Sequence, residues 1–146
     1  RLRRMKNLDF VCIDYLQLMQ SARRIDNRVQ EVTDITRNLK IMAKELNVPL
    51  MVCAQLSRAT EKQQNHRPAL ADLRESGSIE QDADQVLFLY RDEYYKNEKE
   101  DPGEVESNTS EVIVAKNRHG ELGTVKLAWF GEFTQFTSLE MHQSER

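Results

Sequence analysis

Apolar residues in this chain follow two periodicities. The run Phe10-Val11-Cys12-Ile13 is continuously apolar and stops at Asp14, and Leu50-Met51-Val52-Cys53-Ala54 stops in the same way at Gln55. Short β-prone runs closed by a polar residue are the pattern of strands buried on both faces, as in parallel sheets. Pro49 stands where a strand start tolerates the missing backbone donor. Between the runs, Val29, Val32, Ile35, Leu39, Met42, Ala43 and Leu46 recur at steps of three and four, with Arg28, Glu31, Asp34, Arg37 and Lys44 on other faces. Asn27 with Gln30 reads as the N-cap of this helix, which ends near Asn47. Strand, helix and strand form a βαβ unit with a right-handed crossover. Its ligand-binding edge lies where Asp14 and Gln55 emerge, because open α/β sheets bind ligands at the carboxyl ends of their strands.

The rest of the pattern is shorter in period. Tyr15 to Asp26 reads as a loop of mixed polarity and Ser57 to Arg67 as a polar, mobile loop. Ser78 with Gln81 starts a short helix through about Ala83, and Val86 to Tyr90 reads as a third buried strand. Glu93 to Asn108 is charged without an apolar face, the mark of a solvated excursion. Val112 to Ala115, Thr124 to Phe130 and Phe133 to Leu139 complete a β-meander that turns at His119 to Gly123 and bends at Gly131 and Glu132. The expected class is α/β, and 146 residues suit one domain, 1–146, with a single core.

Composition narrows the function. Hydrophobic residues at 39%, charged residues at 31% and only five glycines and three prolines exclude collagen-like and disordered classes. A net charge of -3 gives no global basic field, so any nucleic-acid contact has to be local. No apolar run reaches the roughly 18 residues of a membrane span, which makes a soluble cytoplasmic protein the expectation. Cys12 and Cys53 lie inside apolar runs without metal-type spacing and read as reduced core thiols. His66, His119 and His142 show no ligand spacing, and Tyr90, Tyr94, Tyr95 and Trp129 form no recognisable base-stacking array.

Asp14 at the tip of an apolar strand is the carboxylate a phosphate-hydrolysing site uses to hold Mg²⁺, usually through water. An ordinary strand-end carboxylate is the alternative, since four apolar residues before an Asp arise often by chance. Lys116 and Arg118 alternate at a strand end and so point to one side, as two cations reaching one ligand must. The loop Ser21 to Arg28 carries Arg23, Arg24 and a third arginine, Arg28, near Asp14.

Four segments carry a family resemblance. Ile13-Asp14-Tyr15-Leu16-Gln17-Leu18-Met19 resembles the magnesium-binding strand end of the DnaB family of replicative helicases, and Ala54-Gln55-Leu56-Ser57-Arg58 is similar to its next motif. The thirteen residues Asp72 to Asp84 resemble the DNA-contacting motif, and Ala115-Lys116-Asn117-Arg118-His119-Gly120 the last one. Order and spacing agree as well, so the resemblance covers nearly the whole chain. It implies a RecA-like P-loop NTPase fold: a mostly parallel central sheet flanked by helices, with a C-terminal antiparallel β-meander, lacking the N-terminal part of the domain.

The resemblance also implies roles. Asp14 organises Mg²⁺ and Gln55 senses the terminal phosphate of ATP. Arg74, Glu75 and Gly77 contact the backbone of single-stranded DNA, with Arg23 and Arg24 lining the same channel. Lys116 and Arg118 reach the nucleotide of a neighbouring subunit in a homo-hexamer. Implied partners are primase and a helicase loader, and the implied setting is the cytoplasm of a bacterium, at replication forks. A phosphate loop of the form Gly-x-x-x-x-Gly-Lys-Ser/Thr is absent from the 146 residues, so the expectation is a segment of an ATP-dependent DNA helicase that does not hydrolyse ATP alone. Two other readings stay open: a non-catalytic single-strand-binding module, and a RecA-superfamily recombination or repair ATPase.

Overall fold

The computed structural model describes residues 8–56, 66–76, 78–91 and 108–139, with 74–76 described by backbone alone. The chain divides into two compact units, one of Arg1–Thr60 with Leu70–Asp84 and one of Glu61–Ala69 with Gln85–Arg146.

In the first unit, β1 (Val11–Ile13) and β2 (Leu50–Val52) pair in parallel, Val11 opposite Leu50 and Ile13 opposite Val52. Helix α1 (Arg28–Leu46) joins them. Its start is set by Asn27, whose side chain accepts from the Val29 and Gln30 amides at 2.9 and 3.2 Å. Its end is set by Asn47 in the left-handed region at φ 55°. Both boundaries therefore follow from single residues that satisfy otherwise orphaned helix-end groups. Asn27→Ala is expected to cost about 1 kcal/mol, read as a lower urea midpoint at unchanged m-value.

Val32, Ile35 and Leu39 on α1 bury against Leu16, and Ile13, Leu50, Val52, Met19, Met42 and Ile79 pack around them. Leu16 opens a single 3-10 turn, Leu16–Leu18, within the stretch that read as a loop of mixed polarity. Only one face of the β1–β2 pair is used in this way. Phe10, Cys12, Met51 and Cys53 on the other face are exposed, so burial on both faces is not what the described residues show, and the free cysteines are surface thiols rather than core ones. The physical reason is that, among the described residues, α1 covers one side of the pair alone.

A 3-10 segment, Leu70–Ser76, precedes the four-residue α2 (Ile79–Asp82), and Asp72 and Leu73 are buried among the described side chains of the 3-10 segment. Ser78 occupies the N-cap position, but its side chain makes no capping bond, contrary to the capping expectation from Gln81.

The second unit is an antiparallel sheet in sequential order, β3 (Gln85–Tyr90), β4 (Thr109–Asn117), β5 (Gly123–Phe130) and β6 (Gln135–Ser138). The meander is thus present and gains β3 as its first strand. In β3, Val86, Phe88 and Tyr90 are buried while Leu87 and Leu89 are exposed, which is one-face rather than two-face burial. Arg67 pairs with Glu111 and lies 5.3 Å over the Tyr90 ring. Trp129 packs on Phe136 at 4.6 Å and carries Arg91 on its ring. Gly131–Phe133 forms the bend into β6. Segments 57–65 and 92–107, which include most of the polar loop and the charged excursion, lie outside the described residues, as do Tyr94, Tyr95 and His142. Among the described residues no helix is long and apolar enough to cross a membrane.

Candidate functional site

Parallel pairing brings Asp14 and Gln55 to one edge, because each follows the last residues of its strand. The Cys53 amide donates to the Ile13 carbonyl and the Leu16 amide to the Cys53 carbonyl, both at 2.9 Å, which continues the pairing past the strand ends. Asp14 is exposed there, its carboxylate without a hydrogen bond or ion pair among the described residues; the Asp14-Tyr15 peptide is cis. Gln55 is held by a residue whose role the sequence left unread. The Gln17 side-chain amide donates to the Gln55 carbonyl at 3.0 Å, and the Gln55 amide donates to the Gln17 side-chain oxygen at 3.2 Å. This two-bond clamp spans 38 positions of chain, so no local signal could announce it. Gln17→Leu removes both bonds and is expected to cost about 1 kcal/mol, seen as faster amide exchange at Gln55 with α1 exchange unaltered.

Cys53 lies beside Asp14. Desolvation of its sulfur, although the residue as a whole is exposed, is the largest cause raising the thiol above its ordinary range, and the charge of Asp14 and contact with Cys12 act in the same sense. The thiol therefore stays protonated through neutral pH and is a poor nucleophile.

The arginine-bearing loop divides by role. Arg28 donates to the Gln17 carbonyl at 2.9 Å and the Met19 carbonyl at 3.2 Å and pairs with Glu31 at 2.6 Å. Its guanidinium holds the Glu31 carboxyl below the usual carboxylate range, helped by the Ser21 amide. Arg28 is thus spent on the loop itself. Arg23 and Arg24 are exposed at an open concavity of about 470 Å³, with Arg24 facing Asp26 at 3.7 Å.

Arg74 and Glu75 fall in the 3-10 segment Leu70–Ser76, and Gly77 lies outside the described residues. Lys116 stands in β4 opposite Val86, whereas Arg118 lies one residue past the strand, in the turn. Strand alternation alone does not aim both cations; the turn aims Arg118. That turn is organised by Asn117, whose side chain accepts from Gln85 at 3.3 Å and from the His119 amide at 3.4 Å and donates to the Glu121 carbonyl at 3.3 Å. A Cβ at Gly120 would stand 2.6 Å from the Asn117 amide nitrogen, so a side chain there would displace the Asn117 amide from its turn bonds.

Among the described residues no cluster of three His, Cys, Asp or Glu could hold a metal. A lone exposed carboxylate does fit Mg²⁺, which keeps most of its water and takes one or two protein carboxylates beside phosphate oxygens.

The family model described as the DnaB-like helicase C terminal domain matches residues 1–138. The chain is 49% identical over 146 residues to the replicative DNA helicase DnaB of Geobacillus stearothermophilus, covering 99% of this chain and 31% of that one. It is 52% identical over 141 residues to the replicative DNA helicase DnaC of Bacillus subtilis, covering 96% and 30%. Two solved structures are similar as well. One, an ATPase domain, superposes with a TM-score of 0.84 at 47% identity, covering 94% of this chain and 47% of that one. The other, a DnaB-like replicative helicase studied with its primase interactions, gives 0.83 at 47% identity, covering 94% and 33%. The chain therefore spans about a third of the length of the curated relatives it matches.

Proposed function

Since this chain belongs to the DnaB-like helicase C-terminal domain family, we propose that it is the C-terminal portion of a RecA-like motor domain, within a protein that couples ATP hydrolysis to movement along single-stranded DNA and unwinding at a replication fork. Its α/β, RecA-like fold is that of the solved ATPase domain and of the DnaB-like helicase. The observation that carries the reading is the shared edge of Asp14 and Gln55, clamped by Gln17 at the ends of two parallel strands.

In this reading, Asp14 holds Mg²⁺ through water, and the metal when bound neutralises charge on the phosphates. Gln55 faces the terminal phosphate; its amide both donates and accepts, so its partners change when that phosphate leaves. Lys116 and Arg118 serve the nucleotide of the next subunit in a homo-hexamer, where they offset charge on the transferred phosphoryl group. Arg74, Glu75 and Gly77 meet the DNA backbone, Arg74 by pairing with phosphate and Glu75 through its backbone or by orienting Arg74. Arg23 and Arg24 add positive charge along the channel. The glycine-lysine phosphate loop is not in these 146 residues, which span about a third of the length of the matched relatives. Primase and a loader are the proposed partners, the cytoplasm the proposed setting.

A helicase carrying this segment is expected to unwind a forked duplex directionally in the presence of ATP. Strand exchange without unwinding would instead place it among recombination ATPases, and single-strand binding that neither needs nor drives hydrolysis would make it a passive binding module.

A further inference from the structure

Thr36 is a polar residue buried on the apolar face of α1, 8% exposed. Its hydroxyl donates to Asp82 Oδ2 at 2.6 Å, and the Ser78 hydroxyl donates to the same oxygen at 2.7 Å. The two hydroxyl oxygens are 2.9 Å apart. With both protons on the carboxylate that third side carries none, so Asp82 is the hub and its charge strengthens both bonds. The alternative acceptor for Thr36, the Thr33 carbonyl, is more distant at 3.2 Å. Ser78 caps nothing, and its hydroxyl instead donates within α2, to Asp82. One turn further along α1, Lys40 pairs with Asp84. The same helix thus grips the end of α2, through Asp82 and the following Asp84, while Ser78 ties the start of α2 to the same Asp82 oxygen. A four-residue helix has no stability of its own, so these links, together with the packing of Ile79 on the core, decide where it lies.

We propose that Thr36, Ser78 and Asp82 form a positioning cluster for single-stranded DNA, fastening α2 to α1 and thereby setting the place of the segment Leu70–Ser76 that carries Arg74 and Glu75. The inference rests on the reading of that segment as the DNA contact. It gives the contact a mechanical route to the nucleotide edge, because α1 is the connection between the strands that end at Asp14 and Gln55. Thr36 touches neither nucleotide nor DNA in this arrangement; it acts through Asp82.

The test uses the full-length helicase carrying this segment, with fluorescein-labelled oligothymidylate binding followed by anisotropy in a non-hydrolysable ATP analogue, and nucleotide affinity measured separately. Thr36→Val and Asp82→Asn are expected to weaken single-strand binding about tenfold with nucleotide affinity retained, and Thr36→Ser, which keeps the hydroxyl, to bind as the parent does. Arg74→Ala is the control for the underlying reading. If Arg74→Ala weakens binding while Thr36→Val and Asp82→Asn do not, the cluster has no positioning role. If the Thr36 and Asp82 variants lose nucleotide and DNA affinity together, or Thr36→Ser fails with them, the cluster is merely structural and the inference is overturned. If Arg74→Ala binds DNA normally, the DNA reading of the segment falls and takes the inference with it.

Discussion

Alanine at Arg118 is expected to reduce DNA-stimulated ATP hydrolysis by the full-length helicase by about 10³-fold or more, with nucleotide affinity changed far less. The loss is in rate because a guanidinium aimed at developing phosphoryl charge matters most in the transition state. Asn117 holds the turn bearing Arg118, so the deletion removes the charge and leaves its mounting in place. Mixed rings provide the decisive measurement. Arg118→Ala subunits and Asp14→Ala subunits should each be inactive alone, yet recover activity when mixed, because an Arg118→Ala subunit with its own Asp14 can receive Arg118 from an Asp14→Ala neighbour. Absence of recovery in rings that still assemble would mean that both residues serve one subunit's nucleotide, and the shared site would be lost as an idea.

Leu16→Ala should be the most damaging truncation in the first unit. Leu16 is 2% exposed at the centre of the cluster with Val32, Ile35 and Leu39, so its deletion leaves a cavity that the fixed strand ends cannot close. The expected cost is about 3 kcal/mol, a large fraction of a small unit's stability. Leu18, two residues on and 68% exposed, is the matched control and should change stability by less than about 0.5 kcal/mol. Urea midpoints followed by far-UV circular dichroism separate the two; equal effects would show that the 3-10 turn does not plug this core.

Much of this architecture was legible in local pattern. The three-and-four spacing from Val32 to Met42 located α1, and Asn27 and Asn47 marked its ends, because capping is settled by residues within a few positions of one another. The abrupt stops at Asp14 and Gln55 placed the candidate edge, since a parallel βαβ unit sends both strand ends the same way. The last strands of the meander were readable from their turns. What misled was the assumption that a continuous apolar run is covered twice. Met51 is 49% exposed and Leu89 64%, and a run of apolar residues reports only that some face is buried, never how many.

From the sequence alone came the elements, their order and the residue types able to serve a phosphate chemistry, all consequences of hydrophobic period and short-range hydrogen bonding. Tertiary structure alone decided the rest: that Gln17 clamps Gln55, that Arg28 braces its loop while Arg23 and Arg24 stay exposed, and that Thr36 on α1 and Ser78 both donate to Asp82. Each is a hydrogen-bond choice between partners distant along the chain or between competing acceptors, and its outcome depends on which groups packing brings within about 3 Å of one another.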